Sequence, residues 1–221
     1  MLKKFLLGLG ALFFILVGSL ILIMGYVFNN PDSVFNAFNS VTDKILQGQK
    51  YEENEEFFLQ GMNRLTLSAR RVDLSLKVHA GNTLKVHMHG KVPRFEQGPF
   101  VLQTAEKDAV HIQFQEPIAS SWIQMNVNGQ ELTKESDSKL KADVYLPESF
   151  KGQVTIETRD GNVHLQIPED LLYELELQSV SGKIQNNLKT KPVAEILPQE
   201  VGHIKVQTTE GSISVNIPSE D

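Results

Sequence analysis

The stretch Thr158-Arg-Asp-Gly161-Asn-Val163 recurs twice further along the chain, as Ser179-Val-Ser-Gly182-Lys-Ile184 and as Thr208-Thr-Glu-Gly211-Ser-Ile213. Each copy of this [Thr/Ser]-x-x-Gly-x-[Val/Ile] turn follows an alternating run: Val154/Ile156, Leu175/Leu177 or Ile204/Val206. A second run closes the first and last copies, through Val163, Leu165, Ile167 and through Ile213, Val215, Ile217. Pro147, Pro168, Pro198 and Pro218 each follow an aliphatic residue, and Phe150, Leu171 and Val201 stand three residues after the first three of them. Alternation with period two is the mark of a half-buried strand, and self-similarity at a fixed period is the mark of a repeat architecture. The turn glycines are 21 and then 29 residues apart, so the middle copy carries a longer loop, near residues 188–196.

Glycine at each turn supplies the positive φ expected after Asp160, Ser181 or Glu210. Proline, lacking an amide hydrogen, ends pairing at a strand's exit. A unit of about 21 residues with two short strands cannot bury its apolar face alone, whereas stacked copies bury a continuous core. The expected fold is therefore all-β, a β-solenoid-like stack of short strands. A β-sandwich of consecutive hairpins is the alternative, since Asp160-Gly161 is also a hairpin signal.

Outward from the repeat, alternation continues through Leu65/Leu67/Ala69, Val72/Leu74/Leu76/Val78 and Leu84/Val86/Met88, then Val110/Ile112/Phe114 and the run from Trp122 to Val127. The β-repeat domain is thus expected over residues 58–221. Segments Gly61-Met-Asn-Arg-Leu-Thr-Leu through Val92, Tyr145-Leu-Pro-Glu-Ser-Phe150 and Glu157-Thr-Arg-Asp-Gly-Asn-Val-His-Leu165 resemble the bacterial putative-adhesin β-strand-repeat family. Its membrane-anchored, LiaG-like members are linked with the envelope stress response of Gram-positive bacteria. The resemblance covers residues 59–218. It implies a β-repeat fold and brings no catalytic residue with it, because fold alone does not give function. Residues 116–139, with Trp122, depart from the family pattern.

Residues 5–28 read FLLGLGALFFILVGSLILIMGYVF, 24 residues without a charge. At about 1.5 Å per residue such a helix crosses a hydrocarbon core of roughly 30 Å with some tilt. A cleaved signal peptide has an apolar core of about 7–15 residues and a small-x-small site. Here the run is longer, and Met24-Gly25-Tyr26-Val27-Phe28 offers no such site. Residues 1–28 are accordingly expected to be an uncleaved transmembrane anchor, with the lipid bilayer as partner of residues 5–28. Lys3 and Lys4 precede it, whereas Asn29, Asn30 and Asp32 follow. This bias predicts a cytoplasmic N-terminus and an extracytoplasmic domain.

Residues 29–57 join the two parts. Val34, Phe35, Phe38, Val41 and Ile45 are spaced for one helical face, with Asp32 or Ser33 as cap and Pro31 just before. That face serves either the bilayer or self-association, or else packs on the domain. The acidic stretch 47–56 is expected as an exposed linker.

Composition narrows the functional classes. The chain has no cysteine, which excludes disulfides, thiolate metal sites, a cysteine nucleophile and a lipidated cysteine. Beyond the anchor lie all 27 acidic residues and 19 of the 21 basic ones, a formal charge of −8. So acidic a domain disfavours nucleic acid or anionic lipid as its main partner.

No catalytic constellation is visible, and no cofactor is expected. His87 and His89, with His79 nearby, share one strand face with Lys85 and Lys91. A strand i, i+2 histidine pair holds a metal such as zinc only if a third ligand arrives, and two lysines on that face oppose a cation. The pair is therefore read as part of a solvated polar face. His164 and His203 are single polar positions. Asp160 and Glu210 occupy equivalent turn positions, with Ser181 in the middle copy. Glycosidase carboxylates must converge across a cleft, whereas repeating turns line up along an edge. There is no G-x-S-x-G elbow and no glycine-rich phosphate loop. Trp122 is read as core, with glycan or protein contact as its functional alternative. The function expected is that of a membrane-anchored, non-enzymatic envelope protein presenting a β-repeat domain to a protein or cell-wall polymer, in keeping with an envelope-stress setting. A wall-polysaccharide enzyme on a β-helix and a purely structural spacer are the alternatives.

Overall fold

A computed structural model describes residues 2–117, 122–127, 130–135, 138–169, 171–188 and 201–218. Helices α1 (Leu2–Asn29) and α2 (Pro31–Leu46) come first, then β1 (Gln49–Phe58), β2 (Arg64–Ala69), β3 (Asp73–His79) and β4 (Thr83–Val92). Next are β5 (Val101–Glu106), β6 (Ala109–Phe114), β7 (Trp122–Val127), β8 (Gln130–Glu135) and β9 (Leu140–Pro147). The chain continues through β10 (Gln153–Thr158), β11 (Val163–Gln166), β12 (Tyr173–Ser179), β13 (Ile184–Asn186), β14 (Gly202–Thr208) and β15 (Ile213–Asn216). It divides into two compact units, Met1–Gln47 with Ser121–Ser136, and Gly48–Ser120 with Asp137–Asp221.

The second unit explains the repeat. One sheet has the strand order β1-β4-β9-β3-β11-β15-β13 and the other β12-β14-β10-β2-β6-β5. Each copy of the repeat sends its first strand to the six-stranded sheet and its second to the seven-stranded one. The Thr-x-x-Gly turn is therefore a corner between sheets and not a hairpin, so a sandwich of consecutive hairpins does not describe the repeat. Neighbouring copies pair in parallel and in register: Val154 lies beside Ile204 on one side and Leu65 on the other. Val163 likewise lies between Ile213 and Leu74. The inward-facing Leu65, Leu67, Leu74, Leu76, Val154 and Ile156, themselves at most 1% exposed, form one core with their neighbours. Burying each such side chain contributes about 1.5–3 kcal/mol.

Two features differ from a simple sequential stack. The last copy (β14, β15) sits between the first (β10, β11) and the middle one (β12, β13). The chain passes over one coil position, two steps of about 4.8 Å, within the 21 residues from Gly161 to Gly182. The 29-residue spacing from Gly182 to Gly211 returns the chain by one coil, and residues 189–200 within it lie outside the described residues. Secondly, β4, β5 and β1 pair antiparallel, so both sheets are mixed.

A further copy of the coil is formed by β2 and β3, where the register sets Ser68 beside Glu157 and Leu74 beside Val163. Its corner, Arg70-Arg71-Val72, has neither the threonine nor the glycine. At the glycine corners positive φ is not the reason for the residue: among described glycines only Gly61 and Gly90 have it. Close backbone approach is. A Cβ on Gly182 would collide with the Gly211 carbonyl, one on Gly211 with that of Gly161, and one on Gly161 with that of Val72. The series ends at Val72, whose coil continues into β6 and β9. The hydroxyl at the first turn position closes each corner: Thr158 Oγ1 donates to Gly161 O at 2.8 Å, while Ser179 and Thr208 Oγ accept from the amides of Gly182 and Gly211 at 2.8 and 3.0 Å.

Residues 47–56, expected as a linker, instead contribute to β1, which pairs with β4 from Gln49↔Val92 to Phe58↔Thr83. Few apolar residues mark this strand because it is an edge. Its Glu53 faces in and accepts from Tyr51 Oη at 2.7 Å and from the Phe100 amide at 2.9 Å. An inward charge on an edge strand discourages pairing with another chain. Burial, then the Glu53 carboxylate, pushes the Tyr51 phenol well above its ordinary value.

In the first unit, α2 begins two residues earlier than a cap at Asp32 implies. Asn30 is the N-cap, without a side-chain cap bond, and Pro31 takes the first helical turn. Helix α1 is continuous over 28 residues. Over residues whose side chains are described, no helix is long and apolar enough to cross a membrane. The side chains at 2–9, 11, 27 and 28 are outside that set. The side chain of Trp122 is too, so its reading as core lies outside the described residues.

Candidate functional site

The polar outer face of the seven-stranded sheet is where the chemistry gathers. Alternation in β4 turns Leu84, Val86 and Met88 into the core and His87 and His89 outward. The register with β9 then brings Asp143 opposite His87, and Lys141 opposite His89. On the other flank, β1 sets Asn54 beside His87 and Glu52 beside His89. The imidazoles stack with centroids 4.8 Å apart and planes inclined by 26°. His89 Nε2 lies 3.1 Å from Asp143 Oδ2, and Lys77 Nζ lies 3.7 Å from Asp143 Oδ1. All three residues are half-buried.

Neighbouring charges are largely engaged. Lys85 pairs with Glu56 at 3.4 Å, so it leans to β1 and away from the histidines. Glu52 is bound by Lys50 at 2.7 Å. That hydrogen bond and charge hold its carboxyl below the usual range, with smaller help from His87 and His89. His79 does not join the pair: its Nε2 sits 3.0 Å from the Thr83 carbonyl at the strand end.

Asp143 is the participant that sequence reading missed. The alternation in Leu140-Lys-Ala-Asp-Val-Tyr-Leu signals that it faces outward. Nothing local reveals that β9, more than 50 residues away, becomes the neighbour of β4.

Elsewhere the polar residues are paired along the sheets. His164 Nδ1 lies 2.6 Å from Ser214 Oγ, His111 Nε2 2.8 Å from Ser68 Oγ, and His203 Nδ1 3.0 Å from Glu174. The two serine–histidine pairs lie on exposed faces, and among the described residues neither imidazole has a carboxylate partner to orient it as a general base requires. Asp160, Glu210 and Ser181 fall one per coil along a corner. Asp160 is held by Arg71 and Arg159, each at 3.5 Å. They do not converge on a cleft.

No protein-family model matches the chain, and no curated protein does. Among solved structures, the chain is similar to a putative cell adhesion protein from Clostridium sporogenes, at 10% identity and a TM-score of 0.39, over 77% of this chain and all of that one. It is also similar to a putative adhesin from Parabacteroides merdae at 9% identity and a TM-score of 0.31, over 77% of this chain and 58% of that one. A putative adhesin from Parabacteroides distasonis matches at 12% identity and a TM-score of 0.31, over 77% and 67%. Similarity at this level says nothing of ligand or activity.

Proposed function

We propose that this chain is a membrane-anchored, non-enzymatic cell-envelope protein. Residues 5–28 lie in a bilayer with the N-terminus cytoplasmic, and the β unit is presented outside to a protein or cell-wall polymer. The observation that carries this is helix α1, whose Leu12, Phe13, Phe14, Ile15, Leu20 and Leu22 are 56–76% exposed. Leaving such side chains in water forgoes about 1.5–3 kcal/mol for each. An apolar surface that is continuous around a helix is the signature of a lipid-facing span. Lys3 and Lys4 before the helix, with no lysine or arginine in residues 29–43 after it, support the orientation. The dispersal of carboxylates along a corner, each with a basic partner where Asp160 is concerned, favours a binding surface over a hydrolase. The envelope-stress setting rests on the family resemblance of residues 59–218.

Flotation of the full chain with phospholipid vesicles tests the anchor. The full chain is expected to float and to resist an alkaline wash, and a variant lacking residues 1–30 to stay in the soluble fraction. Release of the full chain by the wash would contradict it.

A further inference from the structure

We propose that His87, His89 and Asp143 form a binding site for one divalent transition cation, with zinc as the best fit. A histidine pair at i, i+2 on a strand needs a third donor, and the register of β9 supplies it from Asp143. The three side chains offer donor atoms within 4.8 Å of one another. Donors bound to zinc at about 2.1 Å stand roughly 3.0–3.5 Å apart at ordinary coordination angles. His89 Nε2 and Asp143 Oδ2, 3.1 Å apart, already meet that spacing, and a rotation of the stacked His87 ring closes the rest. The ligands stand on two hydrogen-bonded strands of the sheet, so the backbone contributes rigidity that a loop would not.

Two imidazoles and one carboxylate suit a borderline cation and leave further positions open to water or to a donor from a partner. Calcium and magnesium, which prefer oxygen ligands, are disfavoured. The cationic groups near the site are Lys77 at Asp143 Oδ1, Lys141 beside His89, Lys91 two residues beyond His89 on the same strand face, and Lys85, which Glu56 engages. Lys77 holds the oxygen that the metal does not need. It orients the carboxylate while weakening affinity by its charge. This site does not depend on the anchor, and it would hold in a chain that never met a membrane.

The test is titration of the full chain in detergent micelles with zinc ion after treatment with chelator, read by calorimetry and by thermal melting. Uptake of about one ion per chain with a Kd on the order of micromolar is expected, with a rise in Tm on binding. His87→Ala, His89→Ala and Asp143→Asn should each weaken binding at least about tenfold. His203→Ala, on the other sheet, should bind as the parent does. Absence of saturable uptake, or an equal loss in His203→Ala, overturns the site. If the histidine variants melt early in chelator, Lys77→Met decides, because it keeps all three donors. Tighter zinc binding supports the proposal, and unchanged or weaker binding overturns it.

Discussion

Gly161, Gly182 and Gly211 show how one residue type can be required for a reason other than the obvious one. Each stands where a Cβ would strike the carbonyl of the neighbouring coil. The glycines therefore set how closely the corners stack. Gly211→Ala should cost about 1–3 kcal/mol, as overpacking against rigid backbone does, measured as a lower urea midpoint of the full chain in micelles. An unchanged midpoint would refute the close-approach account. The sequence pattern located these corners to the residue, because three copies share hydroxyl, glycine and aliphatic at fixed offsets. It pointed to the wrong cause, since a glycine demanded by a neighbour's carbonyl and one demanded by φ look alike in one dimension. The same limit hid the β2–β3 copy, whose Ala69 and Val72 occupy the threonine and glycine positions without cost.

Among the elements, the corners are tied by a side-chain ladder that crosses the stack. Asp73 Oδ1 accepts from the Asn162 amide at 3.0 Å, Asn162 Oδ1 accepts from the Ser212 amide at 3.0 Å, and Ser212 Oγ accepts from the Lys183 amide at 3.3 Å. Asp73 starts the ladder and is only 14% exposed, with Lys139 at 2.8 Å. Its burial works to raise the carboxyl pKa, but the bonds from Lys139 and Asn162 outweigh burial and hold it below the ordinary 3.8. A carboxyl depressed in the folded state stabilises the fold above its unfolded pKa, and that share is lost as pH falls through the lower folded value. Asp73→Asn should thus cost about 1–2 kcal/mol near neutrality, and the gap to the parent should close only below pH 3.8. Unfolding titrations across this range check it, and a gap independent of pH would contradict the assignment. Strand existence was legible wherever alternation was apolar. Strand β1 was not, because an edge strand stabilised by pairing with β4 and by an inward Glu53 reads as a charged linker. The interior place of the last coil was also hidden, since alternation sets a strand's face and not its neighbour. That limit kept Asp143 from the histidines until the register was known.

On the scale of the whole molecule, α1 is an apolar helix, and the β unit is a two-sheet stack whose outer face bears His87, His89 and Asp143. The helix over residues 5–28 was the most legible element of the chain, as an apolar run of 24 uncharged residues needs no tertiary information. The cluster of His87, His89 and Asp143 was the least legible, because its third member comes through topology. The proposal that α1 spans a bilayer and holds the β unit outside is directly testable, because the chain has no cysteine. In intact bacterial cells expressing the full chain, a membrane-impermeant maleimide should label Val180→Cys, at a position 83% exposed on the β unit. The same reagent should reach Lys4→Cys only after the membrane is permeabilised. Labelling of Lys4→Cys in intact cells with Val180→Cys protected would contradict the orientation, and recovery of both variants in the soluble fraction would contradict the anchor itself.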